Sequence, residues 1–526
     1  MESIIKRVRD KLIFTFSDGS TYTLQNSIDS TQSVDNYITS CSLKESILNS
    51  GSNNIIGSVG SNSLSATIIS RDGLLVPDNS SSPYYRMMNE SCVIDLYVYC
   101  TELDSTSAEY EVYFGKYYVL SWEVGQSHNT NHEVTITATN IIGKIKDIAI
   151  KRILLKRDTS FKDYLVYVID KLNSSMDYTL YYDQNSFDVI EGEIVNWLVN
   201  YKNITSTEFS KITDDIINNT LALLYCNRNS IFKADSLLDE DVSQAVGTLN
   251  GGINLFSYNR VQGNLSNYSG FNLEYILNNY IESVSLGSSN KFTPVKGSNT
   301  VTIDCNYDDI VAIDSVRIKA TDDNNRQLNY DIENVVYYKG GIEVTFTTNI
   351  VIPLDIEVFG RINKYNYKTD TVYIDNSIKN SLIDLKNHVL NTSGIREYEL
   401  KLKDIMTLQN NLIQVEGYIN PNIKPGDIVS VIGTSLSING YYKVVQTDYK
   451  LVTNYRCKMV LLKIGSFTPT ADQLLENNMT LLERSLNGGE VEVSNVNRLS
   501  TEYEDIVLNT YRSDFESLET CLNRTD

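Results

Sequence analysis

Residues 133–139, Glu-Val-Thr-Ile-Thr-Ala-Thr, alternate apolar and hydroxyl side chains, the pattern of a strand with one dry and one wet face. A helix, at 3.6 residues per turn, scatters such a set around its surface, so the period of two limits this stretch to a sheet. The same grammar recurs upstream. Ile13-Phe14-Thr15-Phe16 runs into Ser17-Asp18-Gly19-Ser20 and then Tyr22-Thr23-Leu24, a hairpin in which Asp-Gly supplies the positive φ of the turn. Cys92 to Cys100 is an apolar and aromatic run interrupted by Asp95, as expected of a strand covered on both faces. Tyr110 to Phe114, a turn at Gly115-Lys116 and Tyr117 to Trp122 read as a second hairpin. Residues 1–150 therefore form an all-β domain, a barrel or a sandwich.

The period changes after Arg157. Ser160 and Asp163 make a capping box, and Phe161, Tyr164, Leu165, Val168 and Leu172 share one helical face. A second helix starts near Ser206, with Phe209, Ile212, Ile216 and Ile217 apolar. It leads to strands at Ala222–Cys226 and Ile231–Ala234 around a polar turn, Asn227-Arg228-Asn229. Residues 151–290 are thus an α+β middle domain. Residues 291–363 return to β, with a Gly340-Gly341 hairpin, and form an added sandwich-like block. In residues 364–465 the spacing of Ile378, Leu382, Leu385 and Val389 predicts a helix capped near Asn376 or Ser377. Strands follow at Tyr398–Leu402, Leu412–Tyr418, Ile428–Ile432 and Gly440–Val445, with a breaker at Pro425-Gly426-Asp427. Residues 466–526 predict a helical C-terminal extension whose narrow stripe, Val496 to Leu522, packs either on its own chain or on a neighbour. The whole is α+β, mostly β, and multidomain, in keeping with 526 residues.

Gly115-Lys116-Tyr117-Tyr118-Val119-Leu120 and Gly440-Tyr441-Tyr442-Lys443-Val444-Val445 are nearly one hexapeptide. Each stands where a turn opens a strand, which raises the possibility that one chain carries two related β modules. A Tyr-rich chain with 36 tyrosines also produces such strings by chance, and an AT-rich genome gives the same Tyr, Asn and Ile bias.

Charge and cysteine content narrow the function classes. The formal net charge is −21, and so acidic a surface repels nucleic-acid phosphate and anionic lipid. No stretch approaches the roughly 20 apolar residues of a membrane helix, and no signal-peptide apolar segment is seen at the start, so neither membrane insertion nor secretion by that route is expected. Seven scattered cysteines without a CxxC pair fit reduced thiols in a product made in the cytoplasm of its host.

No constellation points to chemistry, and we expect no enzyme, no cofactor and no metal. His128, His132 and His388 are the three histidines, and no GxSxG, HExxH or P-loop occurs. His128, His132 and Glu133 share a polar loop that could hold a transition metal, but solvated loop histidines are far commoner. Asp304-Cys305-Asn306-Tyr307-Asp308 imitates a calcium loop, yet Asp309 stands where Gly is needed and Ser315 where the bidentate Glu is needed, so a strand-edge turn is the better account. Sixty-six acids always supply carboxylate pairs somewhere, which leaves a polysaccharide or cell-wall depolymerase as a rival. Tyr and Asn richness leaves a carbohydrate-binding adhesin or receptor-binding protein as another.

The order of segments resembles the baseplate hub and tail-tip hub family of tailed bacteriophages. That family has a first β domain with strands like Val112–Val119 and Val134–Ala138, then a helix leading into a hairpin like Leu224–Phe232. A helix and strand like 378–389 and 398–402 follow, and then a turn and strand like Pro425-Gly426-Asp427-Ile428-Val429-Ser430-Val431. The resemblance covers roughly residues 10 to 465; the block 291–363 and the segment after Ile464 have no counterpart. It implies a homotrimer in the virion, in which two tube-type β-barrel domains per chain alternate around a ring that matches a six-fold tail tube above and a three-fold spike below. The partners implied are the tail tube protein, the C-terminus of the tape measure protein, the central spike or tip protein and baseplate wedge proteins. DNA passes through the lumen without specific binding, for which an acidic lining would serve, although simple solubility explains the charge equally well. The expected interface residues are Tyr113, Tyr117, Tyr118, Tyr441 and Tyr442, with Phe515, Leu518 and Leu522 of the terminal helix; core packing is the competing expectation for each.

Overall fold

The computed structural model describes residues 5–466 except 27–35, 48–58, 88, 90, 103–108, 127–131, 155–159, 192–202, 239–240, 252–253, 262–267, 293–297, 306, 308–309, 321–329, 339–340, 375–380, 388–391, 409–410, 434–437 and 453–454. The first module contains β1 (Ile5–Thr15), β2 (Thr21–Gln25), β3 (Asn36–Ser46), β4 (Ser63–Ser70), β5 (Val93–Glu102), β6 (Tyr110–Gln126) and β7 (His132–Thr139), closed by α1 (Ile141–Ile145). The Asp-Gly hairpin forms as expected: Thr15 faces Thr21, and Gly19 carries φ +82°. Two expectations are corrected. On β5 only Ile94, Leu96, Val98 and Cys100 are fully buried and the residues between them are half-buried, so its two faces are not equally covered. Gly115 makes no hairpin turn; β6 is one 17-residue strand in which Gly115, at φ +122°, sits at a β-bulge.

The middle body comprises β8 (Ala149–Leu154), α2 (Phe161–Ser175), β9 (Tyr181–Tyr182), α3 (Asp188–Glu191), β10 (Asn203–Glu208), α4 (Phe209–Thr220), β11 (Leu223–Cys226) and β12 (Ile231–Asp235). The Ser160 side chain accepts the Asp163 amide at 3.0 Å, and the predicted apolar face of α2 is buried. Helix α4 begins at Phe209 rather than Ser206, because residues 203–208 extend to pair with β8.

The remaining elements are β13 (Gly247–Asn250), β14 (Leu255–Val261), β15 (Gly270–Phe292), β16 (Thr300–Asp304), β17 (Ile310–Ala320), β18 (Ile332–Tyr338), β19 (Gly341–Phe346), β20 (Leu354–Tyr373), β21 (Leu382–Asn387), α5 (Thr392–Leu408), β22 (Leu412–Gly417), β23 (Ile428–Ile432), β24 (Gly440–Lys450) and β25 (Arg456–Gly465). Here the helix expected over 378–389 is overturned where it is described: Leu382 to Asn387 form a strand parallel to the start of β15. The expected strand Tyr398–Leu402 lies inside α5, whose Ile395, Tyr398, Leu402, Ile405 and Met406 form a buried helical stripe. Ile378 and Val389 fall outside the described residues.

The chain is mostly β, spread over several sheets, as the sequence implied. The largest sheet has 13 strands along the path β14-β22-β25-β24-β3-β4-β7-β6-β5-β1-β2, with β13 and β23 joined beside β24. Among the described residues this path stays open rather than returning on itself as a ring. It fuses the first module to a second one built from β13, β14 and β22 to β25, and one apolar core runs through both, from Leu12 and Phe114 to Val431 and Met459. The block carried by β15 to β20 keeps a core of its own around Ile303, Ile342, Val344 and Val358.

Candidate functional site

Strand registers decide whether the hexapeptide echo is accidental. In the first module Leu96 of β5 faces Gly115 and Ile94 faces Tyr117. In the second, Val431 of β23 faces Gly440 and Val429 faces Tyr442. On the other side Val119 faces Ala138, and the ladder then bulges at Leu120 before Ser121 faces Thr137. Val444 likewise faces Leu461, and the ladder bulges at Val445 before Gln446 faces Val460. The correspondence continues outward. β4 on β7 matches β22 on β25, and β3 on β4 matches β14 on β22, where both ladders bulge at one place, between Ile38 and Ser40 and between Leu255 and Ser257. A bulge is an inserted residue whose position chance does not reproduce, so the two modules are copies of one design.

Tyr117 and Tyr442 are each 1% exposed, and each donates its hydroxyl to a carbonyl three or four residues earlier in the chain, Phe114 at the β6 bulge at 3.1 Å and Ile438 just before β24 at 2.7 Å. Burial pushes the Tyr442 phenol up to about 12 and the Tyr117 phenol well above its ordinary value. Tyr117→Phe and Tyr442→Phe should each lower stability by about 1 kcal/mol, and together by the sum, because the lost bonds lie in separate modules. Urea unfolding of the two single variants and the double variant checks this; a change in only one of the singles would mean that the device is not shared.

The modules meet where the C-terminal half of β24 pairs with β3, Tyr449 opposite Leu43 and Thr447 opposite Glu45. Into this seam the middle body inserts one side chain. The β11–β12 hairpin turns on Asn227, whose side-chain oxygen accepts the amides of Asn229 and Ile231 at 3.0 Å, and so holds Arg228 at the tip. Arg228 Nε donates to Glu45 Oε1 at 2.9 Å and Nη2 to Glu45 Oε2 at 2.7 Å, a bidentate pair with both side chains buried. Its remaining donors reach the Pro421 carbonyl at 2.5 Å and the Tyr449 hydroxyl at 3.2 Å, and its guanidinium lies 4.1 Å from the centre of the Phe114 ring. Burial alone would weaken the guanidinium as a base, but the Glu45 carboxylate overrides it and holds the proton more tightly than usual. Thr447 Oγ1 adds a bond to Glu45 at 3.1 Å. A Cβ on Gly115 would sit 3.1 Å from the Arg228 carbonyl, so glycine there answers both the bulge and the close approach. A second cation, Lys443, crosses from β24 to Asp235 at 2.8 Å and to the Ser236 carbonyl at 2.8 Å.

The arrangement ties both modules and the middle hairpin together through one buried ion pair and its hydrogen bonds. Sequence reading placed Arg228 in a polar turn and missed Glu45, Thr447 and Tyr449. Of the expected interface residues, Tyr117, Tyr118 and Tyr442 are buried within the chain, whereas Tyr113 and Tyr441 are half-buried. Tyr113 donates to Asp95 at 2.9 Å and lines an open polar hollow beside Arg228. Phe515, Leu518 and Leu522 lie outside the described residues, as do His128 and His388. Asp304 is the last residue of β16, while Asn306, Asp308 and Asp309 are not described. Among the described residues no three His, Cys, Asp or Glu side chains converge to hold a metal, and no helix is long and apolar enough to cross a membrane.

No protein-family model matches the chain, and no curated protein does. Solved structures to which it is similar include a tail protein from Neisseria meningitidis MC58, at 8% identity and TM-score 0.45, covering 86% of this chain and 96% of that one. Another is the 43 kDa tail protein of prophage MuSo2 from Shewanella oneidensis, at 8% identity and TM-score 0.44, covering 86% and 98%. A third is the prophage tail protein gp18 from Listeria monocytogenes EGD-e, at 9% identity and TM-score 0.39, covering 90% and 99%. All three are tail proteins.

Proposed function

We propose that the chain is the structural hub at the distal end of a phage-type tail, working as a homotrimer that adapts a six-fold tube to a three-fold spike. The observation that carries this reading is the internal repeat. One polypeptide holds two copies of a β module side by side in one sheet, so three chains offer six equivalent positions to a six-fold partner while keeping three-fold symmetry toward the other end. The Arg228–Glu45 lock supports it, since an adaptor under load needs its two modules fixed relative to each other. On this reading the tube protein and the tape measure C-terminus meet one end of the ring, the spike meets the other, and baseplate wedge proteins contact the added block. DNA runs along the axis past an acidic protein that does not bind it.

The purified chain should have a solution mass three times its 59.5 kDa, and images of assembled tails should show the copies on the axis directly beneath the tube. A single-chain mass under native conditions, or a position off the axis, would refute the hub.

A further inference from the structure

One difference between the two modules is informative because of their common design. Each has a long strand whose C-terminal half continues past the bulge, and each has an outer strand that carries the second bulge. In the second module the long strand is β24, and residues 446–450 pair with β3, the outer strand of the first module. In the first module the long strand is β6. Among the described residues, β5 pairs with it only as far as Tyr118, and nothing pairs with the same edge beyond the bulge. The outer strand of the second module is β14; Gly251 bridges to its first residue, Leu255, and from Ser257 on its edge away from β22 is equally bare among the described residues. Thus the chain holds one completed joint and the two separated halves of another.

Side-chain exposure follows this difference. Leu120 is 47% exposed and its counterpart Val445 is fully buried; Val124 is 42% exposed and its counterpart Tyr449 is fully buried. On the outer strands Tyr258 is 38% exposed where its counterpart Cys41 is 3%. Bare edges bearing large apolar side chains invite another strand, and natural proteins leave them so where a partner completes the sheet.

We infer that residues 121–125 of β6 in one copy accept residues 259–261 of β14 from a second copy, repeating between chains the β24–β3 joint found within the chain. Transferring the internal register places Val124 opposite Arg260, as Tyr449 is opposite Leu43, and Gly125 opposite Asn259, as Lys450 is opposite Ser42. The contact is head-to-tail: β6 of each copy takes β14 of the next, so every module meets its neighbours through the same kind of joint. Such a heterologous contact yields a closed ring or an open filament; closure at three copies rests on the trimeric reading above.

The test is a cross-link between the two strands. Facing residues of an antiparallel pair bring their Cβ atoms within disulfide reach, so full-length protein carrying both Val124→Cys and Arg260→Cys, mildly oxidised, should run on non-reducing denaturing gels as species of two and three chain masses. Neither single variant should do so. A native mass of three chains with no cross-link from the double variant overturns the β6–β14 joint and leaves the trimer standing; a native mass of one chain overturns both. Should the double variant misfold, hydrogen exchange on the unmodified chain decides. Edge amides in 120–125 and in 257–261 should both slow by at least about tenfold at concentrations where the chain associates, and both lose that protection on dilution. Slowing in one strand alone, or in neither, overturns the joint.

Discussion

Replacing Arg228 with Met should lower the unfolding free energy by about 3 to 5 kcal/mol, because it leaves Glu45 as a buried carboxylate stripped of its partner. The loss is large for reasons visible at the site. The two side chains are 8% and 2% exposed, so water cannot take the place of the guanidinium, and the Pro421 and Ile423 carbonyls and the Tyr449 hydroxyl lose donors at the same moment. Removing both charges should cost far less. In the double variant Glu45→Leu with Arg228→Met an apolar pair fills the seam, and most of the lost stability should return. Thermal and urea unfolding of wild type, Arg228→Met and the double variant form the test. A loss below about 1 kcal/mol in Arg228→Met would mean that the seam is held by the β24–β3 ladder alone.

The two halves of this lock explain what sequence reading could and could not reach. Glu45 and Arg228 are 183 residues apart, and neither carries a local signature of its partner. Arg228 looks like a residue of a polar turn because locally it is one; only the docking of that turn against a seam made from β3 and β24 gives it a role. Local devices were legible. The Ser160 cap, the Asp18-Gly19 turn and the period-two strands are each decided within a few residues. The misreadings came where tertiary context overrode local pattern. Residues 382–387 have helical spacing, yet the edge of β15 away from β20 recruits them as a parallel strand, with Ile383 and Leu385 against the middle core. The stripe Ile395, Tyr398, Leu402, Ile405 was present in the sequence, but the short window Tyr398–Leu402 matched a strand and hid the longer period. Gly115 was read as a turn for a related reason: positive φ serves hairpins and bulges alike, and the difference lies in whether the chain goes on in the same direction.

The hexapeptide echo was a faint clue to the repeat, and it was sound because of what its residues do. Glycine allows a close backbone approach, the buried Tyr ties its strand to a carbonyl three or four residues earlier, and Val119 and Val444 fill the core just before the bulge. Those requirements recur in both modules, so the letters persist. Elsewhere the modules share register and not sequence: Ser40 and Ser257 coincide, whereas Leu43 and Arg260 do not. Leu43 is buried in the joint within the chain, and Arg260 is exposed on the corresponding edge where the chain supplies no partner.

Asp10→Asn should make the protein less sensitive to pH, with an effect nearly as large as that of Arg228→Met. Asp10 continues the inward stripe of Leu12 and Phe14 on β1, opposite Val98, and is 1% exposed. Burial pushes its carboxyl up from 3.8 to about 7, and the neighbouring Cys41 thiol lowers it only in part. The sign follows from linkage. Between pH 4 and pH 7 the folded chain keeps a proton that the unfolded chain has lost, so the stability associated with the neutral acid is complete below about pH 4, declines as pH rises and is gone above about 7. Over that interval the loss is roughly 4 kcal/mol, at about 1.36 kcal/mol for each step of pH. The amide keeps the size of the acid and has no proton to lose. The stability difference between Asp10→Asn and wild type should therefore move in favour of the variant by roughly 3 kcal/mol between pH 5 and pH 8. Paired urea titrations at those two pH values measure it directly, and other titrating groups cancel because both chains share them. If the difference is the same at pH 5 and pH 8, Asp10 titrates as a solvated carboxylate, and the first module must open enough in solution for water to reach the inward face of β1.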